Sequence, residues 1–513
     1  MRAKPQYRLH RSPYSILLLP VLTALIGCSQ TAVPTPLELA EGDVLTSYED
    51  MMVFLDRLRL ETGGFTIDTI GESLEGRALV ALRFGATGQA EATSSDKLKV
   101  LIYAQQHGNE PSGKEAAIAL ARDIATGADA DLVEGVDFYL VPQVNPDGSE
   151  KGQRRNAADM DLNRDHLPLS TPEVAALHSL YNRILPHVTL DVHEYGFAGS
   201  TWVDAGLLKN FGQQIGALSN ANMSMVLRSF AWDEVIPQMQ SALIQKDVLL
   251  RRYLVTDGPD ARFRYSTTAL NDGRNSMGIY HSLSFLIEGR NGLTVESDIR
   301  ERTRQQLETI KAFLRFFGEH SEEVRNLVDQ ERGALVSGDL SDQVALVMDY
   351  VPDPDRPSLT VGVIDIETGE EADLTIETFA PAVEATHAVS RPLGYVIPSE
   401  LAEVIAVLER NGIAVQTMEQ ATPATLESYR IESVVPTQKE DKDFLDVGVT
   451  ATRYDGTIDP GDVVVWCDQI ATNLIVILLE PQSQWGLAPL PGFVDMLAVG
   501  SEYPIERIVS VQE

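Results

Sequence analysis

LKVLIYAQQHGNE, residues 98–110, joins a hydrophobic run to a polar loop that carries His107 and Glu110. The run lacks the polar alternation of a half-exposed strand, which is typical of a strand covered on both faces. HVTLDV at 187–192 and LSFLI at 283–287 have the same character. Helical stretches separate these three runs along the chain. The sequence therefore predicts an α/β fold, with a mainly parallel, mixed β-sheet flanked by helices.

Composition divides the chain into four parts. Residues 1–28 predict a signal peptide, and residues 29–43, which are small, proline-containing and acidic, predict a tether. The α/β domain is predicted at 44–333. Beyond it, runs rich in valine, isoleucine and threonine predict a smaller β-rich accessory domain at 342–513. The sequence assigns no chemistry to this second domain.

The first 28 residues combine a basic start, the apolar run ILLLPVLTALI and a small residue before Cys28. This pattern is that of an export signal, too short and wrongly flanked for a membrane span. LIGC at its end resembles the lipobox of bacterial lipoproteins, which implies that Cys28 becomes lipid-anchored. Ser29 then favours the outer membrane of a Gram-negative cell, facing the periplasm or the cell surface. The alternative is an ordinary cleaved signal in which Cys28 is incidental.

The charge balance limits the partners. The chain has 41 basic and 75 acidic residues, a formal net charge of -34. Such a surface repels the phosphates of nucleic acid and anionic lipid headgroups, so we expect no nucleic-acid partner and no membrane contact beyond the lipid anchor. Only Cys467 follows Cys28, so the mature protein forms no ordinary internal disulfide. The sequence does not indicate an oligomeric state.

Polar side chains follow each of the three hydrophobic runs. His107 comes shortly after the first run, and His193 and Glu288 come directly after the second and third. Because open α/β sheets bind ligands at the carboxyl ends of their strands, we expect these side chains to converge with Glu110 on one crevice. Two imidazoles and one carboxylate are the ligand set of a catalytic zinc ion. Glu288 ends a hydrophobic strand, where partial burial would raise its pKa into the range of a general base.

The order of several motifs carries a family resemblance. The motifs are IGESLEGR (70–77), HGNE (107–110), NPDG (145–148), RRNAADMDLNRD (154–165), LDVHEYG (190–196) and FLIEGR (285–290). They resemble those of the zinc carboxypeptidases of the carboxypeptidase A type, the M14 metallopeptidases, across most of residues 45–320. DLNR following R-x-N-A is far more specific than any single ligand. The resemblance implies a metallocarboxypeptidase that uses one zinc ion and acts on peptides.

The same resemblance implies roles for individual residues. Zinc is held by His107, Glu110 and His193, and Glu288 is the general base and later the acid. Arg154 matches the arginine that stabilises the tetrahedral oxyanion, where a fixed cation is effective.

The resemblance also implies which residues bind the substrate. Asn163 and Arg164 match the pair that grips the terminal carboxylate, since a guanidinium fork fits two oxygens. This grip implies an exopeptidase. The family commonly supplies a tyrosine from a mobile loop, and Tyr265 and Tyr280 are both candidates with no motif to choose between them. Arg274 is a further candidate for lining the substrate pocket.

For several residues the sequence allows more than one role. Arg155 adjoins Arg154, and the motif spacing favours Arg154. Asp191 is equally consistent with orienting a ligand imidazole and with capping a strand end. His166 and His178 have no partner pattern, which favours surface or packing roles.

Two other functions are compatible with these residues. One is a zinc-dependent deacylase or amidohydrolase of the aspartoacylase type, which shares a related zinc core. The export signal argues against it, since that chemistry is usually cytoplasmic. The other is a non-catalytic surface binding protein that keeps the fold and the metal, and the presence of Glu288 and Arg154 weighs against it.

Overall fold

The computed structural model describes residues 9–10, 33–41, 44–85, 96–338, 342–440 and 442–512. The predicted signal peptide, including Cys28, lies outside these residues apart from the two-residue strand β1 (Leu9–His10). Within the described ranges, no helix has both the length and the apolar character needed to cross a bilayer.

The part of the predicted tether that the structure describes packs against the α/β domain. Helix α1 (Pro36–Leu39) begins with a capping box, in which Thr35 and Glu38 each bond the other's backbone N–H through the side chain. Glu38 also pairs with Arg122 at 2.6 Å, and Leu37 is buried. Composition alone misses this helix, because a local cap and one ion pair hold it in place.

An eight-stranded sheet forms the middle of the α/β domain. In spatial order its strands are β2 (Phe65–Glu72), β3 (Ala78–Phe84), β5 (Val136–Val141), β4 (Leu98–Ala104), β6 (Val188–Tyr195), β10 (Leu283–Arg290), β8 (Gln213–Gly216) and β9 (Leu250–Arg252). The pairs β5–β4, β4–β6, β6–β10 and β8–β9 are parallel, and the others are antiparallel. The predicted mainly parallel, mixed sheet is confirmed. The three hydrophobic runs are the adjacent strands β4, β6 and β10.

Helices flank this sheet. They are α2 (Tyr48–Thr62), α3 (Ser112–Ala125), α4 (Pro146–Glu150), α5 (Pro172–Ile184), α6 (Ser200–Asp204), α7 (Met225–Ser229), α8 (Ile236–Ile244), α9 (Gly273–Gly278), α10 (Ile299–Glu319) and α11 (Ser321–Ser337). Helix α3 packs on α10 and contacts β4 and β6, while α10 contacts β10. The core between them contains fully buried side chains such as Leu101, Leu190, Phe285 and Phe313. Both faces of the central strands are therefore covered, as their apolar sequences require.

The C-terminal region is rich in antiparallel strands, as predicted. Its strands are β11 (Gln343–Val351), β12 (Leu359–Asp365), β13 (Glu371–Ile376), β14 (Ala382–Ser390), β15 (Gly394–Ile397), β16 (Gln416–Thr417), β17 (Thr422–Lys439), β18 (Lys442–Ile458), β19 (Val463–Trp466) and β20 (Glu506–Val511). The last six form one sheet in the order β16-β19-β15-β20-β17-β18, and β11 pairs with β14. Two helices, α12 (Ala402–Arg410) and α13 (Thr472–Leu479), accompany them.

Two contacts tie the C-terminal region to the α/β domain. Strand β12 pairs antiparallel with β7 (Leu207–Lys209), so residues from both sides of the predicted boundary share one sheet. The long β17–β18 hairpin carries Glu440 near its tip. The Glu440 carboxylate accepts hydrogen bonds from the Thr267 hydroxyl at 2.6 Å and from the Thr268 N–H at 3.0 Å. The hairpin thus reaches the loop that precedes α9.

Candidate metal centre and active site

The loop between β4 and α3 is shaped by close backbone contact with the NPDG turn. A Cβ atom at Gly108 would lie 2.2 Å from the backbone carbon of Gly148, so only glycine fits there. Asn145 donates from Nδ2 to the backbone oxygen of Gln106 at 3.0 Å and accepts the Gly148 N–H at 2.8 Å. These contacts explain the local sequences HGNE and NPDG. They fix the direction in which His107 leaves the loop.

His107, Glu110 and His193 converge on one point. The Nδ1 atoms of the two imidazoles are 3.2 Å apart. Glu110 places Oε1 2.9 Å from His107 Nδ1 and Oε2 3.1 Å from His193 Nδ1. All three side chains are buried. The predicted convergence from distant stretches of sequence is therefore present.

This donor set fits a zinc ion. Zinc–ligand bonds near 2.0–2.1 Å in tetrahedral geometry separate ligand atoms by roughly 3.3 Å, close to the observed spacings. Burial alone would raise the pKa of Glu110, but the two imidazoles outweigh it and hold the pKa of that carboxyl well below its usual value. The carboxylate is therefore ionised, which is the form that binds metal. Two imidazole nitrogens facing one carboxylate form the three-ligand set of a catalytic zinc site.

Two aspartates hold the far sides of the imidazole rings. Asp161 Oδ1 lies 3.1 Å from His107 Nε2, and Asp191 Oδ2 lies 2.9 Å from His193 Nε2. Burial would raise the pKa of Asp161, but His107 and then Arg154 outweigh it and hold that pKa far below its usual value. A carboxylate on Nε2 keeps the proton there and leaves Nδ1 free to bind metal. Of the two readings of Asp191, the structure supports ligand orientation.

Glu288 stands beside the metal ligands on the neighbouring strand. In the parallel pair β6–β10, Glu288 is in register with His193, so both side chains project from the same face of the sheet. Its Oε2 atom is buried and has no hydrogen-bond partner among the residues that the structure describes. Burial, together with repulsion from Glu110, raises the pKa of Glu288 to about 7, although His193, His107 and Arg154 oppose the rise. Such a carboxyl exchanges protons near neutral pH.

The structure separates the two adjacent arginines. Arg154 donates from Nη1 to Glu110 Oε1 at 3.3 Å and from Nε to Asp161 Oδ2 at 3.2 Å. Arg155 instead points to the exposed Asp159, at 3.5 Å. The guanidinium at the metal centre is therefore that of Arg154, the residue that the motif spacing favours.

Asn163 and Arg164 follow Asp161 in a short 3-10 turn. Asn163 Nδ2 lies 3.1 Å from His193 Nε2, and its Oδ1 accepts the Gly273 N–H at 2.9 Å. Arg164 is exposed and donates to the backbone oxygen of Asn163. It also lines a cavity of about 500 Å³ whose other walls include Phe444 and Trp485 of the C-terminal region. Asn163 therefore adjoins the metal ligand His193, whereas Arg164 faces the neighbouring cavity.

The protein encloses Arg274, which was predicted to line the substrate pocket. Arg274 is completely buried and donates to the Ser266 hydroxyl, to the Thr267 backbone oxygen at 3.1 Å and to Asp272 at 3.2 Å. This enclosure contradicts direct contact between Arg274 and a substrate, because the guanidinium meets no open space.

The two predicted tyrosines are engaged in packing. The Tyr280 hydroxyl is buried and donates to the Asn411 backbone oxygen at 2.6 Å, which contradicts its predicted role. Tyr265 packs edge-on against Phe379, with ring centroids 5.1 Å apart, and stacks near Arg252. A part for Tyr265 at the substrate stays a prediction.

Sequence reasoning missed two residues of the site. Asp161, which orients His107, lies inside the quoted motif DLNR, so the motif itself carried the signal. Tyr253 is the second: burial, and then the neighbouring carboxylate of Glu288, raise the pKa of its phenol. No local pattern around Tyr253 distinguishes it from other tyrosines, because its place follows from the packing of β9 beside β8.

Comparison with known proteins agrees with this geometry. The family model of the zinc carboxypeptidases, peptidase family M14, matches residues 51–187, a range that contains His107 and Glu110 and ends before His193. Carboxypeptidase 2 of Trichophyton equinum is 26% identical over 498 residues, covering 90% of this chain and 86% of the fungal protein. Carboxypeptidase 2 of Trichophyton rubrum is 28% identical over 492 residues, with the same two coverages.

Among solved structures, the metallo-carboxypeptidase from Burkholderia cenocepacia is similar. It is 20% identical, with a TM-score of 0.40, over 52% of this chain and 68% of that chain.

The sequence match and the metal site support one assignment. The matched family is named for zinc, and the structure brings together a His-Glu-His set whose donor atoms all lie within 4.8 Å of one another. The chain is similar to the zinc carboxypeptidases of the M14 family, and the structure gives it the three ligand residues of a zinc metallopeptidase site.

Proposed function

We propose that this protein hydrolyses the C-terminal peptide bond of peptides outside the cytoplasm. One observation supports the proposal: Glu288, Arg154 and Asn163 lie around the same three metal ligands. His107, Glu110 and His193 would hold a zinc ion, which when bound supplies Lewis-acid activation of water and of the scissile carbonyl.

Glu288 supports the proton transfers of this reaction. The pKa of Glu288 is about 7 without zinc, and its carboxylate accepts a proton from the water that attacks the peptide carbonyl carbon. The unpartnered Oε2 atom is the place for that proton, since the described residues offer it no competing donor. When the carbon–nitrogen bond breaks, the same proton passes to the leaving amine nitrogen. Glu288 is thereby returned to its starting state.

Arg154 supports the charge that develops on the carbonyl oxygen. Its guanidinium is held by Glu110 and Asp161, so it is ordered before the substrate binds. A cation that needs no reorganisation stabilises a developing oxyanion by several kcal/mol, on the order of the cost of losing one oxyanion donor.

Asn163 and Arg164 support recognition of a free C-terminus. Asn163 lies beside His193, and Arg164, the next residue, is an exposed guanidinium, so together they offer several donors to two carboxylate oxygens. A substrate held by its terminal carboxylate places its last peptide bond near Glu288 and Arg154. This arrangement favours an exopeptidase.

Peptides that differ only in having a free or an amidated C-terminus test the proposal. We expect hydrolysis of the free form alone, its loss with a zinc chelator and its return when zinc is added. Equal rates on both peptides would contradict the carboxylate grip. Turnover of N-acyl amino acids but not of peptides would indicate a deacylase of the aspartoacylase type. Zinc binding without any hydrolysis would indicate a binding protein.

We also propose that the protein is exported and lipid-anchored through Cys28, at the outer membrane of a Gram-negative cell. The basic start, the apolar run and LIGC support this proposal. Metabolic labelling with a fatty acid should mark the wild-type protein and not the Cys28→Ala variant, which should move to the soluble fraction. Labelling that persists in Cys28→Ala would exclude the anchor.

A further inference from the structure

A chain of hydrogen bonds leads from the metal ligand His193 into the interior. Asp191 Oδ2 lies 2.9 Å from His193 Nε2 and also accepts from Gln106 Nε2 at 2.8 Å. Gln106 Oε1 lies 2.6 Å from His166 Nε2, and His166 Nδ1 lies 2.9 Å from His178 Nε2. All five side chains are buried, with at most 2% exposed.

The direction of each bond follows from the chemistry of the groups. Gln106 donates from Nε2 to Asp191 Oδ2, so its side-chain oxygen faces His166. His166 must then donate from Nε2, which leaves Nδ1 as an acceptor for His178. Burial lowers the pKa of both imidazoles, for His178 to about 3, so both rings are neutral. Every link therefore donates toward Asp191.

The space around Asp191 is filled. A Cβ atom at Gly273 would lie 2.6 Å from the Tyr103 hydroxyl and 2.9 Å from Asp191 Oδ2. No side chain can enter between α9 and this carboxylate without displacing it. Packing on one side and hydrogen bonds on the other thus restrict Asp191 to one position.

We propose that Gln106, His166 and His178 are positioning residues for the metal centre. They fix the carboxylate of Asp191, which keeps the His193 proton on Nε2 and leaves Nδ1 free to face the ion. Partners behind a ligand imidazole typically change metal affinity by about 10–100-fold. The inference rests on the metal role of His193 in the proposed function, and it assigns a role to two histidines whose sequence context suggests packing.

Zinc affinity, measured by competition with a chromophoric chelator, tests this proposal without reference to activity. Gln106→Leu removes the hydrogen bonds of Gln106 to Asp191 and to His166, and His166→Leu removes the donor to Gln106 Oε1. Each variant should weaken zinc binding by about 10–100-fold. His166→Gln can still donate to one neighbour and accept from the other, so it should restore most of the affinity. His281→Leu is the matched control, because His281 is equally buried but bonds the backbone oxygen of Glu331.

The outcomes are distinct. If the leucine variants do not fold, Gln106→Asn keeps the amide but shortens its reach, and it should still weaken zinc binding about tenfold. Zinc affinities of the Gln106 and His166 variants that match that of His281→Leu would overturn the proposal. Wild-type protein that binds zinc and hydrolyses no peptide would refute the proposed function and leave this inference standing. Wild-type protein that binds no zinc would refute both.

Discussion

Replacing Glu288 by glutamine tests its role as general base and, separately, its effect on the stability of the folded protein. Gln has the same shape but cannot accept a proton from water at neutral pH. General-base catalysis contributes about 10²–10⁴-fold, so we expect kcat to fall by about 10³-fold, or about 4 kcal/mol of transition-state stabilisation. Zinc binding should persist, because Glu288 is not among the three ligands. KM should change little, since Asn163 and Arg164, the proposed binding residues for the C-terminal carboxylate, are unchanged.

The same variant should stabilise the metal-free protein at high pH. A carboxyl whose pKa rises from 4.5 to about 7 on folding carries no penalty below pH 4.5, and the penalty grows as the pH rises from 4.5 to 7. At pH 8 the buried charge costs about 3 kcal/mol by this linkage, and at pH 5 less than about 1 kcal/mol. Glu288→Gln should therefore raise the apo-protein Tm at pH 8 by about 3 °C and hardly change it at pH 5.

Thermal unfolding with a chelator at pH 5 and pH 8 measures the change in Tm of the metal-free protein. Steady-state peptide hydrolysis measures the fall in kcat. Glu323→Gln is the control, because Glu323 is exposed on α11. Zinc carries positive charge and lowers the pKa of a neighbouring carboxyl, so in the loaded enzyme the acid limb of kcat/KM should lie below pH 7. Full activity in Glu288→Gln, or a Tm gain that is the same at both pH values, would refute the reasoning.

Three further substitutions probe the surroundings. Arg154→Ala should lower kcat by about 10²-fold, whereas Arg155→Ala should leave kcat unchanged, and equal effects of the two would contradict the assignment of the oxyanion donor. Arg164→Ala should raise KM by about tenfold for peptides with a free C-terminus and should not alter binding of amidated peptides, as measured by inhibition. Glu440→Gln should lower Tm, because Glu440 is one partner of a buried pair with Arg264 at 3.7 Å and removing one buried charge of a pair costs about 3–5 kcal/mol; it should also raise KM by loosening the loop before α9. Unchanged Tm and KM in that variant would show that the β17–β18 hairpin does not support the site.

The parts of the site that could be predicted share a physical origin. Strands β4, β6 and β10 are covered on both faces, so they appear in the sequence as unbroken apolar runs. The residues that follow parallel strands meet at one edge, which is why His107, His193 and Glu288 could be brought together before any coordinates were known. The motif around Asp161 also contains Arg154 and Asn163, which the structure places next to Glu110 and His193.

The parts that could not be predicted depend on packing between distant segments. His166 and His178 lie in ordinary sequence surroundings, and only the fold joins them to Asp191 through Gln106. Arg274 stands in a polar stretch that suggests exposure, but Ser266, Thr267 and Asp272 enclose it. Such placements leave no periodic or local signal in the sequence, because each depends on which distant segments the fold brings together.

Pairing between the two regions of the chain is equally invisible in the sequence. Strand β12 (LTVGVID) is a short apolar run like several others in this region, and nothing in it specifies β7 as its neighbour. The hairpin tip is a polar turn, yet Glu440 is almost fully buried against Thr267 and Thr268. Composition separates the β-rich region from the α/β domain, whereas specific contacts join them.

Zinc content tests the central claim most directly. Protein dialysed against a limiting zinc buffer should retain about one zinc ion per chain, and the double variant His107→Ala with His193→Ala should retain none. His281→Ala, which removes a buried imidazole away from these ligands, should retain zinc as the wild type does. A wild-type protein free of zinc, or a double variant that still holds one ion, would contradict the account.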